Sequence, residues 1–444
     1  MRALFPALMA CALIAGAPSA SGETLRDAMA LAYQTNPTIR AERARLDALR
    51  ESKAQAWAGA LPQISASGSY SKVDSTQTSN FTGTPQTLSS NLDTLSYGVN
   101  AEQPIFSGFR NYNAIKQAGA RIRAGGAQLI GTEQQVLSDV ATAYFNVERN
   151  MAVYKLNKRN VEVLLRQNEM ATVRFEVGEI TRTDVAQADA RLAGARAQLS
   201  RAQGDLAIAR AAYAQLVGQS PGDLEPVESL PELPETHDAA QALAFEFAPA
   251  LVAAREQLEV SRRQVKIAKG ALLPTVSLTA GYQRAEEPST FIDTDEQFAY
   301  GARATMPFFL GGINFSRVRE AKALYSSDRA RLVEAQRLVE SQVTAAWQRL
   351  VAARAIIISA ASSVEANTLA LEGVTQEALF GTRTTLDVLD AEQELLSAEV
   401  TLVNAQRDAQ AAAFVLLTAM GVLTPEAIGI ADAAGGGAFD LYDR

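Results

Sequence analysis

The sequence predicts a mainly α-helical protein built from two copies of one unit, with two β-strands in each copy. Three observations support this fold class. The chain repeats itself over nearly its whole length, and two stretches, 105–220 and 308–424, contain no proline. Four other segments alternate polar and apolar residues, as half-buried strands do.

The repeat is clearest at two turn-like segments. Residues 177–187 read VGEITRTDVAQ, and 203 residues later 380–390 read FGTRTTLDVLD. Up to the first strand of each copy the offset is 212, as in SY (69–70) and GY (281–282). The first copy therefore has a longer loop between its two strands. A period near 200 residues indicates two copies of a domain-sized unit rather than a solenoid.

Composition shifts predict the boundaries. Arg2, an apolar run and the small residues APSASG indicate a secretory leader that is cleaved between Ser19 and Glu23. A lipoprotein-like box at Cys11, the sole cysteine, leaves lipidation open as an alternative; plain cleavage would leave no thiol or disulfide chemistry. The predicted segments are a signal peptide (1–22), a first repeat (23–220), a proline-rich linker (221–237), a second repeat (238–424) and a C-terminal tail (425–444).

The proline-free stretches predict long helices. An interior proline costs a helix about 3 kcal/mol or more, so each stretch can break only at its glycine turn, Gly178 or Gly381. Residues 110–176 would then form one helix of about 100 Å, with a returning helix over 183–217 and another over 24–59. Apolar residues spaced three and four apart along them predict lateral helix packing, although ordinary core burial explains such a stripe equally well.

The four alternating segments are short, and polar loops (71–91 and 283–297) join them in pairs. Each strand has about 9 to 10 residues, the length of a tilted bilayer-spanning strand. No apolar run approaches the roughly 20 residues of a spanning helix, so a membrane crossing would use these strands. Four strands cannot close a membrane barrel, which needs about eight. They either form a soluble sheet or are pooled between chains. The predicted strands are 63–71, 95–103, 275–283 and 297–305.

Together with the leader and the duplication, VGEITRTDV and FGTRTTLDVLDAEQEL resemble TolC-type outer membrane efflux proteins over about residues 23–424. The resemblance implies a homotrimer in the outer membrane of a Gram-negative bacterium. Four strands per chain would form a shared twelve-stranded barrel, and long coiled-coil-like helical hairpins would form an α-barrel tunnel across the periplasm. The implied function is a passive exit channel for an efflux pump or a type I secretion system. Implied partners are outer membrane lipid, a periplasmic adaptor and an inner-membrane pump or ABC exporter.

The family resemblance also implies a gate where the hairpins end. Arg383, Asp387 and Asp184 match positions that hold the family's tunnel shut through hydrogen bonds and salt links. Asp390 matches an acidic position that forms a constriction ring with Asp387, giving six carboxylates per trimer and a preference for cations. The family's tyrosine is missing, because Ala378 stands in its place. The adaptor would dock at the hairpin tips, which contain Val177, Gly178, Phe380 and Gly381.

A purely structural role explains some of these acids. Asp184 and Asp387 lie in the first turns of predicted helices, where a carboxylate complements the helix dipole. Thr183 and Thr385 lie beside them, and threonine is a favoured helix cap. Capping and gating both remain open for these residues.

Other function classes find no support in the sequence. Without Arg2 the chain has 40 basic and 49 acidic residues, a net charge of −9, which argues against nucleic-acid binding. The sole histidine, His237, lies in the linker without metal-ligand spacing, and no phosphate-binding loop is present. We expect no enzyme activity, metal or cofactor. A structural or adaptor-like periplasmic coiled-coil protein is the alternative, although an adaptor would carry one helical hairpin with soluble β domains.

Overall fold

A computed structural model describes residues 22–80, 83–227 and 231–430. Along the chain come two short helices, a β-hairpin and a helical hairpin, and this series then repeats. The predicted leader with Cys11 lies outside the described residues. So do residues 228–230 of the predicted linker and 431–444 of the predicted tail.

Each repeat contains one very long helix and a shorter one that returns beside it. Helices α3 (Arg110–Glu176) and α7 (Ile313–Leu379) have 67 residues each. Helices α4 (Arg182–Val217) and α8 (Thr385–Met420) have 36. At 1.5 Å per residue the long helices measure about 100 Å. The prediction of uninterrupted helices over the proline-free stretches is confirmed.

The prediction of a single helix over 24–59 is wrong. The chain forms α1 (Leu25–Thr35) and α2 (Pro37–Ala58), and Asn36 between them has an extended backbone. Proline cannot donate the backbone hydrogen bond that a continuous helix needs, so a new helix starts at Pro37. The Asn36 side chain caps it by accepting from the Thr38 N–H at 2.9 Å.

The second repeat has the same break. Its short helices are α5 (His237–Phe247) and α6 (Pro249–Gly270), which meet at Ala248. His237, predicted to lie in the linker, is instead the first residue of α5, because Thr236 caps that helix by accepting from the Ala239 N–H at 3.2 Å. The His237 ring contacts Thr344 Oγ1 at 3.1 Å and packs edge-on against Trp347.

The strands form one antiparallel sheet in the order β1-β2-β3-β4. All four are longer than predicted, and most of the predicted loops 71–91 and 283–297 is strand. Polar pairs across each hairpin stabilise the extensions: Thr78 and Thr87 hydroxyls lie 3.1 Å apart, and Arg284 Nη1 lies 2.6 Å from Glu296 Oε1. The apolar alternation stops where these polar pairs begin. The strands are β1 (Gln63–Ser79), β2 (Gln86–Phe106), β3 (Thr275–Ser289) and β4 (Ile292–Thr305).

The sheet is open at both edges. Strands β2 and β3 pair with each other and join the two repeats, with Glu102 opposite Thr279. In the described part of the chain, β1 and β4 each pair on one side only. Every residue of β1 and β4 is solvent-exposed, including Tyr70 and Tyr300. These two strands therefore have an unpaired backbone edge and no covered face.

The long helices differ in how fully they are surrounded. Helix α3 packs against α2, α4, α6 and α8, whereas α7 packs mainly against α6 and α8. Of the helices described here, α7 alone is long and apolar enough by composition to cross a membrane. The sequence predicts no spanning helix, because the densest apolar run of α7, Ala355–Ile358, is bounded by Arg354 and Ser359. Since α7 packs along α6 and α8, its exposed Val351 and Ile356 indicate a helix face that lacks a neighbour.

The main core lies halfway along the hairpins. It contains the middle of α3 and α7, the ends of α4 and α8, and both α1 and α5. Tyr144, Phe145, Tyr213 and Phe414 are its largest buried side chains, and their rings contact one another in series. Aromatic contacts of this kind contribute about 0.5–1.5 kcal/mol each beyond their buried area.

Glu23, the second residue of the described chain, is held by this core. The Tyr144 hydroxyl donates to the Glu23 carbonyl at 2.8 Å, and the Tyr213 hydroxyl donates to Glu23 Oε1 at 2.5 Å. The Gly222 N–H donates to the other carboxylate oxygen at 2.9 Å. Burial raises the pKa of both tyrosine hydroxyls, so they stay neutral donors. The start of the first repeat is thereby joined to the segment that leads into the second.

We predict that Tyr213→Phe lowers the free energy of unfolding by about 1.5–3 kcal/mol, because it removes a buried hydrogen bond to a charged acceptor. Thermal unfolding of the purified protein, followed by circular dichroism, measures the change. Tyr154→Phe is the control, since Tyr154 packs against the same core and forms no hydrogen bond with the described residues. Equal melting temperatures for Tyr213→Phe and the control would contradict this role.

Candidate functional site at the hairpin tips

The two helical hairpins end in turns of the same construction, called here tip 1 (residues 174–184) and tip 2 (residues 377–387). Gly178 and Gly381 have φ angles of 78° and 77°, which glycine adopts without a steric penalty. In each tip, the backbone N–H of the residue after the glycine closes the turn. Glu179 donates to the Arg174 carbonyl at 2.9 Å, and Thr382 donates to the Glu377 carbonyl at 3.1 Å. This six-residue closure ends a helix and reverses the chain.

Asp184 and Asp387 occupy equivalent capping positions. In tip 1 the Thr181 N–H and hydroxyl both donate to Asp184 Oδ2 at 2.8 Å. In tip 2 the Thr384 N–H and hydroxyl both donate to Asp387 Oδ2 at 2.9 Å. These bonds, led by the backbone N–H, lower the pKa of both carboxyls. The N-cap residues are therefore Thr181 and Thr384, rather than the predicted Thr183 and Thr385. Asp184 and Asp387 complete each capping box as ionised groups, and each accepts through one oxygen.

Arg383 pairs with a residue that sequence reasoning missed. Its Nε donates to Glu377 Oε2 at 2.8 Å, and this bond raises the pKa of the guanidinium. Arg383 also lies close enough to Asp387 to lower the pKa of that carboxyl. No hydrogen bond or salt bridge within the described chain joins Arg383 to Asp184. The position of Glu377 in the sequence could have indicated this pair. A six-residue turn brings the last turn of the helix beside the residues that follow the glycine.

Tip 1 also has an ion pair across its turn, but the charges are exchanged and the partner after the glycine stands one position earlier. Arg174 Nε donates to Glu179 Oε2 at 3.0 Å. Arg174 and Glu377 are equivalent positions in the repeat, 203 residues apart, and they have opposite charges. The two tips therefore share one backbone but present different electrostatic surfaces.

Asp390 also has an unpredicted partner. Arg191 on α4 donates through Nη2 to Asp390 Oδ1 on α8 at 2.5 Å, which joins the first hairpin to the second. Both side chains are about half exposed. A small apolar cluster lies beside the pair and consists of Leu164, Leu192, Ala195 and Leu389. Periodicity within one helix could not reveal Arg191 as the partner, because the two residues lie 199 positions apart.

Further polar contacts join α8 to the first hairpin above the tips. Arg159 forms an ion pair with Glu399, and Arg149 Nη1 lies 3.3 Å from Asn404 Oδ1. Between these contacts and Asp390, burial raises the pKa of Glu392. With the Arg191–Asp390 pair, these contacts join α8 to both helices of the first hairpin.

The outermost residues of the tips are apolar and exposed. Val177 is 68% exposed and Phe380 is 82% exposed. Ala378 offers no hydroxyl at the position of the family's tyrosine, and Phe175 occupies the equivalent place in tip 1. Exposed apolar residues grouped at the end of a structure mark a contact surface. Within the described ranges, no group of histidine, cysteine or carboxylate side chains could hold a metal ion.

Comparison with known proteins agrees with this architecture. The sequence model of the outer membrane efflux protein family matches residues 28–219 and 242–422, one segment for each repeat. The outer membrane efflux protein BepC of Brucella suis is 32% identical over 416 residues, which cover 93% of this chain and 88% of BepC. The outer membrane protein TolC of Vibrio cholerae is 26% identical, with 96% of this chain and 97% of TolC covered.

Solved structures show the same fold. The CmeC outer membrane channel of Campylobacter jejuni superposes with a TM-score of 0.80 over 93% of this chain and 89% of CmeC, at 18% identity. The match covers both helical hairpins and the strands between them. With its duplicated strands and hairpins and both repeats matched by one family model, this chain belongs to the outer membrane efflux protein family.

Proposed function

We propose that the chain is the outer membrane exit channel of an efflux pump or a type I secretion system, a passive conduit with no chemistry of its own. One observation carries the proposal: the four-stranded sheet is open at both edges and exposed on both faces of β1 and β4, yet it continues directly into helices of about 100 Å. The role of a soluble coiled-coil protein does not account for a sheet of this kind. A protein that crosses a membrane with strands and a periplasm with helices needs both parts.

The repeat indicates how neighbouring chains would complete the structure. Strand β2 lies between β1 and β3, so its counterpart β4 would lie between β3 and the β1 of a neighbouring chain. Helix α3 likewise lies between α2 and α6, so its counterpart α7 would pack between α6 and the α2 of the neighbour. Both arguments name the same neighbour in the same direction. Three chains would close a twelve-stranded barrel in outer membrane lipid, and a closed barrel leaves no unpaired edge.

The tips support a gate at the periplasmic end of the proposed tunnel. Three chains would bring six Asp387 and Asp390 carboxylates around the threefold axis. The lowered pKa of Asp387 keeps that carboxyl ionised at physiological pH. Rings of carboxylates favour cations in narrow pores. Asp184 and Arg383 would hold the tips in shape through their own cap and ion pair.

The Arg191–Asp390 pair would help to keep the gate closed in place of the missing tyrosine. It joins the two hairpins of one chain beside the Leu192 and Leu389 contact. Exposed ion pairs contribute about 0.2–1 kcal/mol each. If three chains open together, three pairs change the ratio of open to closed channels by a factor of about 3 to 150.

The exposed tips also suggest where partners bind. Val177 and Phe380, beside the turns at Gly178 and Gly381, would contact a periplasmic adaptor protein. An inner-membrane pump, driven by protons or by ATP, would lie beyond that adaptor and select the cargo. A second candidate, a structural periplasmic coiled coil, finds no supporting observation, because it does not account for the sheet.

We predict that Asp387→Asn combined with Asp390→Asn brings the ratio of cation to anion permeability close to one. The change removes all six carboxylates of the proposed ring, while asparagine keeps an acceptor oxygen for the Thr384 bonds. Single-channel recording in a planar bilayer under a salt gradient measures the ratio. Asp47→Asn with Asp139→Asn is the control, because it removes the same charge far from the tips. Unchanged selectivity would refute the acidic gate, and no conductance from an inserted variant whose gate charges have been removed would refute the channel.

We predict that Arg191→Gln raises the open probability of the channel at least threefold. Exchange of the charges, Arg191→Asp with Asp390→Arg, should return it close to the wild-type value, because the pair is restored with reversed polarity. Recordings at low and high salt provide a second readout, since screening weakens an exposed pair. If the exchanged variant opens as readily as Arg191→Gln, the pair does not hold the gate.

A further inference from the structure

A cavity of about 370 Å³ lies beside α3 at the level of the breaks between the short helices. Helices α2 and α6 border it, and the segment after α8 closes one side. Its volume falls within the range of small-molecule sites in proteins. The tips and the sheet, on which the proposed channel depends, take no part in it.

Small residues of α3 leave room for part of the cavity. Gly126 and Ala127 line it, and at the neighbouring Gly125 an added Cβ atom would lie 2.6 Å from Leu49 Cδ1. In the second repeat, Asp328 and Arg329 stand at the positions of Gly125 and Gly126. Asp328 is buried and accepts a hydrogen bond from Ser261. The two repeats therefore differ in side-chain volume at these positions.

Most of the cavity wall is apolar. The apolar side chains come from α2, α3, α5, α6 and the segment after α8, and they are Leu46, Leu129, Phe247, Pro249, Val252 and Leu423. A wall of this kind suits an aromatic or alkyl group.

The charged residues at the cavity carry excess negative charge. Arg123 Nη2 bonds to Glu256 Oε2 at 2.7 Å, so these two charges compensate. Arg43 donates to Glu133 through Nη2 at 2.9 Å and Nε at 3.3 Å, and both bonds go to Oε1. Burial raises the pKa of Glu133, and its bonds to Arg43 offset this only in part. Glu426, exposed at the rim, forms no salt bridge with any described residue.

We propose that this cavity binds an amphipathic cation, with its apolar part among the aliphatic and aromatic side chains and its cationic head between Glu133 and Glu426. The excess negative charge at the cavity favours a positively charged ligand. An anion of the same size would be repelled by Glu426, and the two arginines near the cavity, Arg43 and Arg123, already bond to Glu133 and Glu256. The site is separate from the proposed tunnel gate, so binding here does not require conduction.

Titration calorimetry of the full-length protein in detergent tests the proposal, with dilution into the same micelles subtracted. Benzyltrimethylammonium is the cationic probe and benzenesulfonate is the anionic one. We expect one benzyltrimethylammonium per chain with a dissociation constant below about 1 mM, and binding of benzenesulfonate at least about tenfold weaker. Equal affinity for the two ions, or no binding of the cation, would overturn the proposal.

Two tryptophan variants distinguish binding in the cavity from binding on the protein surface. Val252→Trp fills the cavity from α6 and should abolish saturable binding, whereas Val73→Trp, which adds the same group to exposed β1, should leave it unchanged. Glu426→Gln should weaken cation binding about two- to fivefold without affecting the core. Wild-type binding by Val252→Trp would overturn the proposal. Binding that appears only after removal of residues 431–444 would also overturn it and would assign the cavity to that segment.

Discussion

The unpaired backbone at the edges of β1 and β4 is the constraint on which the rest of the structure depends. A strand in hydrocarbon has no water to satisfy its N–H and C=O groups, and each unsatisfied group costs several kcal/mol. One chain of this protein cannot meet that requirement, because its sheet has four strands and two open edges. The same incompleteness recurs in the helices, where α7 lacks one of the neighbours that α3 has. Association of chains would satisfy both parts together.

The duplication indicates which surface of a neighbouring chain would cover each open edge. Two similar units in one chain place similar surfaces side by side, so the contact already made inside the chain is a template for the contact between chains. The two repeats differ mainly where function is proposed. Tip 1 pairs Arg174 with Glu179, whereas tip 2 pairs Glu377 with Arg383. Gly125 and Gly126 of α3 lie at the cavity, whereas Asp328 and Arg329 stand at the equivalent positions of the second repeat. Backbone geometry was kept, and side-chain chemistry diverged.

The helices could be predicted from local sequence rules, whereas contacts between residues far apart in the sequence could not. The absence of proline and the glycines at 178 and 381 were sufficient for the long helices and their turns. The breaks at Asn36 and Ala248 were missed, although Pro37 and Pro249 were visible signals of a new helix start. The strand extensions were missed because they pair through polar side chains and show no apolar alternation. Glu377 and Arg191, the partners of Arg383 and Asp390, emerge only when turns and helices are placed in space. The gate roles of Asp184, Arg383, Asp387 and Asp390 stay predictions.

The central claim is that β4 of one chain pairs with β1 of the next, and disulfide cross-linking tests it most directly. Glu102 faces Thr279 across β2 and β3, and their counterparts in the repeat are Thr305 and Ser67. In a Cys11→Ser background, Ser67→Cys with Thr305→Cys should therefore form covalent trimers in native membranes. The matched control, Ser67→Cys with Ala302→Cys, is displaced by about 10 Å and faces the other side of the sheet, so it should not cross-link. Monomers alone from the first pair, or equal cross-linking of both pairs, would contradict the account.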